Sequence, residues 1–123
     1  MNLRNCYNFD DFRKLAKKRL PSPIFHYIDG GASDEVTLRR STESFNDCDL
    51  VPNILASVGK PDLSTTVFGK KIDMPVFLSP AAMQRLYHHD GDKASARAAE
   101  KFGTFYSMST MANNTIEEIA EIS

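Results

Sequence analysis

Phe9, Phe12, Leu15 and Ala16 recur at three- and four-residue spacing, the mark of one apolar stripe on a surface helix. Asn8 can cap it, Asp10 and Asp11 suit its positive end, and Lys17, Lys18 and Arg19 suit its negative end before Pro21 stops it. Pro21 and Pro23 can open a second helix in which Ile24, Phe25, Tyr27 and Ile28 crowd together, a density that predicts burial, until Asp29-Gly30-Gly31 ends it. Ser33 or Asp34 is the expected cap of a third helix through Leu38, Arg39, Arg40 and Phe45, closed near Asn46-Asp47. Asp49 to Lys60 reads as an extended connection with a short strand.

The period then changes from helical to extended. Ser64 to Phe68 and Ile72 to Met74 flank Gly69-Lys70-Lys71, which predicts a hairpin. Val76-Phe77-Leu78 has the length and apolar continuity of a buried parallel strand, ending in the small-residue loop Ser79-Pro80-Ala81-Ala82. After a polar loop, Asp92 to Phe102 predicts a helix with Ala94, Ala98, Ala99 and Phe102 on one face, and Gly103 stops it. Thr104 to Met108 is a second strand ending in Ser109-Thr110. Thr115 to Glu118 fits a capping box for a last helix. Strand, loop, helix, strand, loop, helix opens a parallel α/β fold, whose ligands sit at the carboxyl ends of the strands.

Composition narrows the partners. With 123 residues and a formal net charge of −1, the chain has room for one small domain and gives no electrostatic case for nucleic acid. The Arg13 to Arg19 cluster reads as a solvated helix face. Two cysteines, Cys6 and Cys48, stand far apart and suggest reduced thiols rather than a disulfide or a zinc site. No apolar run is long enough to span a membrane and Met1 to Asp11 lacks the order of a signal peptide, so a cytoplasmic location is expected, with peripheral membrane association left open.

Candidate chemistry is sparse. His88, His89, Asp90 and Asp92 have the residue types of a metal site, but adjacent histidines diverge on most backbones, so no metal is expected. Neither G-x-G-x-x-G nor a P-loop follows a strand, and Ser109 has no glycine elbow. Tyr27 lies just before a double glycine, near an element end where sites are often built; taken alone, its hydroxyl reads as a satisfied core group.

Three stretches resemble the family of FMN-dependent 2-hydroxy acid dehydrogenases and oxidases, which includes flavin L-lactate dehydrogenase, glycolate oxidase and flavocytochrome b2. They are Leu20-Pro21-x-x-Ile24-Phe25-His26-Tyr27-Ile28-Asp29-Gly30-Gly31-Ala32 followed by Thr37-Leu38-Arg39-Arg40, Met74-Pro75 to Met83-Gln84, and Ser107 to Thr110 with Ile116-Glu117-Glu118. The resemblance implies an α/β fold, the N-terminal portion of a (β/α)8 TIM barrel preceded by helices and a hairpin, with about two of eight strand–helix units present. Residues 1–63 would be the helices and connection, 64–74 the hairpin and 75–123 the first barrel units of one incomplete domain.

For function, the resemblance implies oxidation of a small L-2-hydroxy acid, of lactate or glycolate type, to the 2-oxo acid by transfer of the α-hydrogen to FMN. Oxygen, a quinone or a cytochrome would be the electron acceptor, and the complete enzyme would be a homo-oligomer. Tyr27 matches the tyrosine that hydrogen-bonds the substrate carboxylate. Pro80, Ala81 and Ala82 match the loop lying against the flavin ring, and Ser109 the hydroxyl at the flavin's polar edge. The family's catalytic histidine and substrate-clamping arginines belong to later units, and His26, His88 and His89 match none of them. A closed barrel needs roughly 200 residues or more, so the chain is expected to be an N-terminal part that is inactive alone. The alternative is a truncated, non-catalytic paralogue serving as a folding or assembly partner.

Overall fold

Residues 3–55 and 59–122 are described in the computed structural model, and they fall into two units, Met1–Ala56 and Ser57–Ser123. In the first unit a 3-10 turn, Leu3–Asn5, precedes helix α1, Phe9–Arg19. The Asn8 side chain accepts from the Asp11 N–H at 3.0 Å, satisfying one of the orphan donors of the first turn. Of the expected stripe, Leu15 is buried, whereas Phe9 is 94 % exposed.

Helix α2, Ser22–Asp29, packs on α1 and ends where the Gly30 N–H donates to the His26 carbonyl. Only Phe25 of its apolar cluster is buried; Tyr27 and Ile28 are exposed, against the burial their density predicts. Helical neighbours are rotated by about 100°, so residues 24, 25, 27 and 28 cannot all face one partner helix. A two-pronged ion pair joins the helices, with Arg13 Nε and Nη2 donating to the two carboxylate oxygens of Asp29 at 2.5 and 2.9 Å. It holds the Asp29 carboxyl below the usual range, mainly through the Arg13 hydrogen bond.

Helix α3, Val36–Glu43, runs into a 3-10 turn, Ser44–Asp47. Neither Ser33 nor Asp34 caps it. Glu35 takes the cap position with φ 57°, and its carboxylate turns back to accept from the Gly31 N–H at 3.1 Å. The strand expected within 49–60 is absent from the described residues there, and positions 56–58 lie outside them.

The second unit opens with a hairpin as expected, β1 Thr65–Val67 against β2 Lys70–Ile72, antiparallel with Val67 opposite Lys70, but Lys70 and Lys71 belong to the strand rather than the turn, and Asp73 and Met74 lie beyond it. Phe68 and Gly69, at φ 51° and 75°, form the two-residue loop. Two successive positive φ values are the pattern that matches the twist of a hairpin's strands. Ile72 is buried.

Beyond it, Leu78 and Tyr106 form a parallel bridge: the Leu78 N–H donates to the Phe105 carbonyl, and the Ser107 N–H to the Leu78 carbonyl, each at 3.0 Å. Helix α4, Asp92–Lys101, makes the crossover between these runs. The parallel direction agrees with the sequence, but the expected strands Val76–Leu78 and Thr104–Met108 reduce to this one bridge, and burial does not follow either, since Val76, Phe77 and Leu78 are 63 %, 45 % and 39 % exposed. One bridge supplies little cover, and α4 leaves an apolar hollow of about 230 Å³ between Val76 and Leu78 on one side and Ala98 and Phe102 on the other. The buried line of α4 is accordingly Asp92, Ala96 and Ala99, so that of the predicted Ala94, Ala98, Ala99 and Phe102 only Ala99 is buried.

Gly103 ends α4 at φ 59° and passes its carbonyl to the Asp73 N–H at 2.8 Å. Helix α5, Ile116–Ala120, starts with the expected capping box, in which Thr115 Oγ1 accepts from the Glu118 N–H and the Glu118 carboxylate from the Thr115 N–H.

Candidate functional site

The loops that follow Leu78 and Tyr106 leave the same end of the strand pair and are tied together. Met83 N–H donates to the Met111 carbonyl, and Arg85 N–H to Asn113 Oδ1, both at 3.0 Å. The parallel bridge favours this, because both chains leave it in the same direction. Pro80 and Ala81 are exposed and Ala82 is half-buried, so the structure brings the predicted shelf to the surface beside the Ser107–Thr110 loop. Met83, with φ 51° in the left-handed region, turns the chain into a 3-10 turn, Gln84–Leu86.

The shelf's carbonyls are held from behind. Tyr87 Oη donates to the Ala82 carbonyl at 3.0 Å, and Gln84 Nε2 reaches the Ala81 carbonyl at 3.4 Å. A trans peptide points its N–H opposite its C=O, so retaining the Ala81 carbonyl sends the Ala82 N–H the other way. That N–H makes no hydrogen bond among the described residues. It is a fixed donor above a methyl-sized surface. Ser109 is half-buried, and its Oγ accepts from the Met111 N–H at 3.1 Å, which leaves the hydroxyl proton to be donated elsewhere.

Behind the shelf lies a polar chain that sequence reasoning missed. Asp92, with 0 % exposure, accepts from Tyr106 Oη at 2.6 Å and from the Asn113 N–H at 3.0 Å. Tyr106 Oη in turn accepts from Gln84 Nε2 at 3.0 Å, and Gln84 Oε1 accepts from Ser95 Oγ at 2.7 Å. Burial, and then the bond to Asp92, push the Tyr106 phenol well above its ordinary range. Asp92 sits in the first turn of α4, where the helix dipole favours its charge. The available signal was an acidic residue directly after Gly91 at a helix start, but nothing local pairs it with residues 14 and 21 positions away.

Tyr27 lies in the last turn of α2, in the first unit, with 55 % of its surface exposed. The satisfied-core reading of its hydroxyl therefore fails, because the one buried ring of that helix is Phe25. His88 and His89 do not diverge as expected: their rings lie 4.3 Å apart, and with Asp90 they offer three ligand atoms within 4.8 Å of one another. All three groups are already engaged, with His89 Nε2 lying 3.6 Å from Asp90 Oδ1. His88 Nδ1 accepts from the Asp90 N–H, and the Asp90 carboxylate is paired with Arg97 at 2.6 Å.

The donor set suits the ring system of a flavin more than its phosphate. Ser79 to Ala82 and Ser107 to Thr110 contain no cationic side chain, while an outward N–H and a free hydroxyl proton can meet ring oxygens and nitrogens.

The family model described as FMN-dependent dehydrogenase matches residues 16–123. Glycolate oxidase 1 of Oryza sativa subsp. indica is 42 % identical over 113 residues, 92 % of this chain and 31 % of that protein. L-lactate dehydrogenase of Allorhizobium ampelinum is 44 % identical over 109 residues, covering 89 % and 29 %. Among solved structures, a soluble mutant of the membrane-associated (S)-mandelate dehydrogenase from Pseudomonas putida superposes with a TM-score of 0.88 at 37 % identity, over 95 % of this chain and 34 % of that one. The chain thus spans about a third of the length of the relatives it matches.

Proposed function

Because this chain belongs to the FMN-dependent dehydrogenase family, we propose that it forms the first flavin-facing wall of a (β/α)8 barrel enzyme that oxidises a small L-2-hydroxy acid to the 2-oxo acid. The observation that carries this reading is the Ala82 N–H, left unbonded on a small-residue loop at the carboxyl end of the parallel pair. Bound FMN would supply the acceptor for the α-hydrogen as a hydride equivalent. Pro80, Ala81 and Ala82 would hold one face of the ring. The Ala82 N–H would offer a fixed dipole that favours negative charge on the ring, and Ser109 would donate its hydroxyl proton to the ring's polar edge.

Tyr27 binds the substrate carboxylate. A phenol does this while remaining neutral at pH 7, so it adds no repelling charge. The proton of the substrate hydroxyl would pass to a base elsewhere in the barrel, since His88 and His89, farther along the loop that carries the shelf, match none of the family's catalytic positions. Support comes from the relatives, whose names specify glycolate, L-lactate and (S)-mandelate. A cytoplasmic enzyme with peripheral membrane contact fits the membrane-associated mandelate relative, and no helix among the described residues is long and apolar enough to cross a membrane.

The test is FMN titration of the full-length protein followed by anaerobic bleaching with glycolate, L-lactate and (S)-mandelate. Bleaching by one of them is expected; tight FMN binding with no bleaching by any would refute the substrate class, and no FMN binding would refute the whole reading. Tyr27→Phe removes one hydrogen bond to a carboxylate, worth about 1.5–3 kcal/mol, which should raise KM roughly 10- to 150-fold and leave FMN affinity unchanged. Equal loss of both would make the tyrosine structural.

A further inference from the structure

A carboxylate only accepts hydrogen bonds, and that single fact orients every polar group between Asp92 and the shelf. Because Asp92 Oδ1 takes the proton of Tyr106, the phenol oxygen can only accept from its other side. The Gln84 group facing it must then be the amide nitrogen, at 3.0 Å, and the amide oxygen must point away, where Ser95 Oγ meets it at 2.7 Å. The same nitrogen faces the Ala81 carbonyl. We propose that Asp92 is a positioning residue for the flavin shelf: through Tyr106 it fixes which way the Gln84 amide is turned, and so holds the 81–82 peptide with its N–H outward. This rests on the flavin-binding reading of the shelf.

The relay has a direction, and the direction can be reversed without removing an atom. In Asp92→Asn the new amide keeps its oxygen on the Asn113 N–H and presents its nitrogen to Tyr106. The phenol proton is then displaced toward Gln84, which must offer its oxygen. That places an oxygen against the Ala81 carbonyl, where a donor stood before, and the 81–82 peptide loses its hold. Deleting the relay instead, by adding Tyr106→Phe, frees Gln84 to return its nitrogen to the Ala81 carbonyl and its oxygen to Ser95. Tyr106→Phe should therefore repair what Asp92→Asn damages. A residue that merely stabilised the fold would show the opposite, since the second change removes a further buried bond.

The full-length protein and its Asp92→Asn, Tyr106→Phe and doubly substituted forms would be titrated with FMN, with thermal melts alongside. Asp92→Asn should weaken FMN binding about tenfold, the worth of one bond replaced by an acceptor–acceptor contact. The double form should bind FMN more tightly than Asp92→Asn while melting no higher. Equal or additive losses would overturn the proposal. A readout independent of flavin is the nuclear Overhauser contact of the Gln84 side-chain NH2, which should move from the Tyr106 ring in the parent to Ser95 in Asp92→Asn. If it stays on Tyr106, the relay is wrong whatever the flavin does. If it moves and the parent takes up no FMN, it is the flavin reading that fails. For a variant that spares the buried carboxylate, Gln84→Met should weaken FMN about as much as Asp92→Asn, and adding Asp92→Asn to it should cost nothing more; a further loss would refute the relay.

Discussion

Replacing Gly103 with alanine should cost the second unit about 2–3 kcal/mol, built from two separable parts. The backbone there is at φ 59°, a conformation that charges a residue with a Cβ about 1–2 kcal/mol. A Cβ would also stand 2.2 Å from Oδ2, 2.6 Å from Cγ and 3.0 Å from Cβ of Asp73. The exposed carboxylate can swing away, but the Asp73 Cβ cannot, because the Asp73 N–H is fixed on the Gly103 carbonyl at 2.8 Å. An off-rotamer Asp73 adds roughly 1 kcal/mol. The assay is amide hydrogen exchange at Leu78 and Ser107, whose bonds cross the strand pair, and exchange should quicken about 30- to 150-fold for a loss of that size. Combining Asp73→Gly with Gly103→Ala removes the collision and should recover about 1 kcal/mol of the loss. Exchange within about threefold of the parent in Gly103→Ala would refute the argument, as would a double form no better than the single.

Thr115→Ala deletes one half of the α5 capping box and should lower stability by about 1 kcal/mol, read from urea unfolding. Glu118 is held at a pKa of about 2, first by the Asn114 side-chain amide, then by the Thr115 N–H and Lys93. Its folded value lies below the ordinary 4.5, so the unfolded chain binds more protons in between. Its contribution is complete above about pH 5 and is lost as pH falls toward about 2, and the unfolding midpoint should decline over that window less steeply in Glu118→Gln. Phe68→Asn should raise the melting temperature, by about 1 kcal/mol of relieved strain, because Phe68 sits at φ 51° with 96 % of its surface exposed; an unchanged or lower melt would show that the ring contributes contacts.

What sequence made legible was local. Asn8, the Thr115–Glu118 box and the turn containing Gly69 act on residues a few positions away, so their signals survive without knowledge of the rest. Burial was legible only where one partner settles it. Leu15 and Phe25 face each other's helices, whereas Phe9, Tyr27 and the Val76–Leu78 run depend on layers that periodicity does not describe. Glu35 displaced Ser33 and Asp34 as the cap because its backbone took a left-handed turn that residue type does not announce. At the candidate site the shelf residues came from resemblance. Asp92 came from neither route: as one acid among His88, His89 and Asp90 it carried no periodic mark, and its partners are distant in sequence.

That buried carboxylate also sets the order in which the second unit can assemble. Helix α4 can form transiently alone, but Asp92 then keeps its water. Drying it is favourable only when the Tyr106 hydroxyl and the Asn113 N–H arrive together, and the loops that bring them span 14 and 21 residues. Until both close, the hydrated charge acts as a brake on collapse at the base of the shelf. The loops after the two parallel runs should therefore lock in one late, concerted step, with little population of forms that hold only one of them.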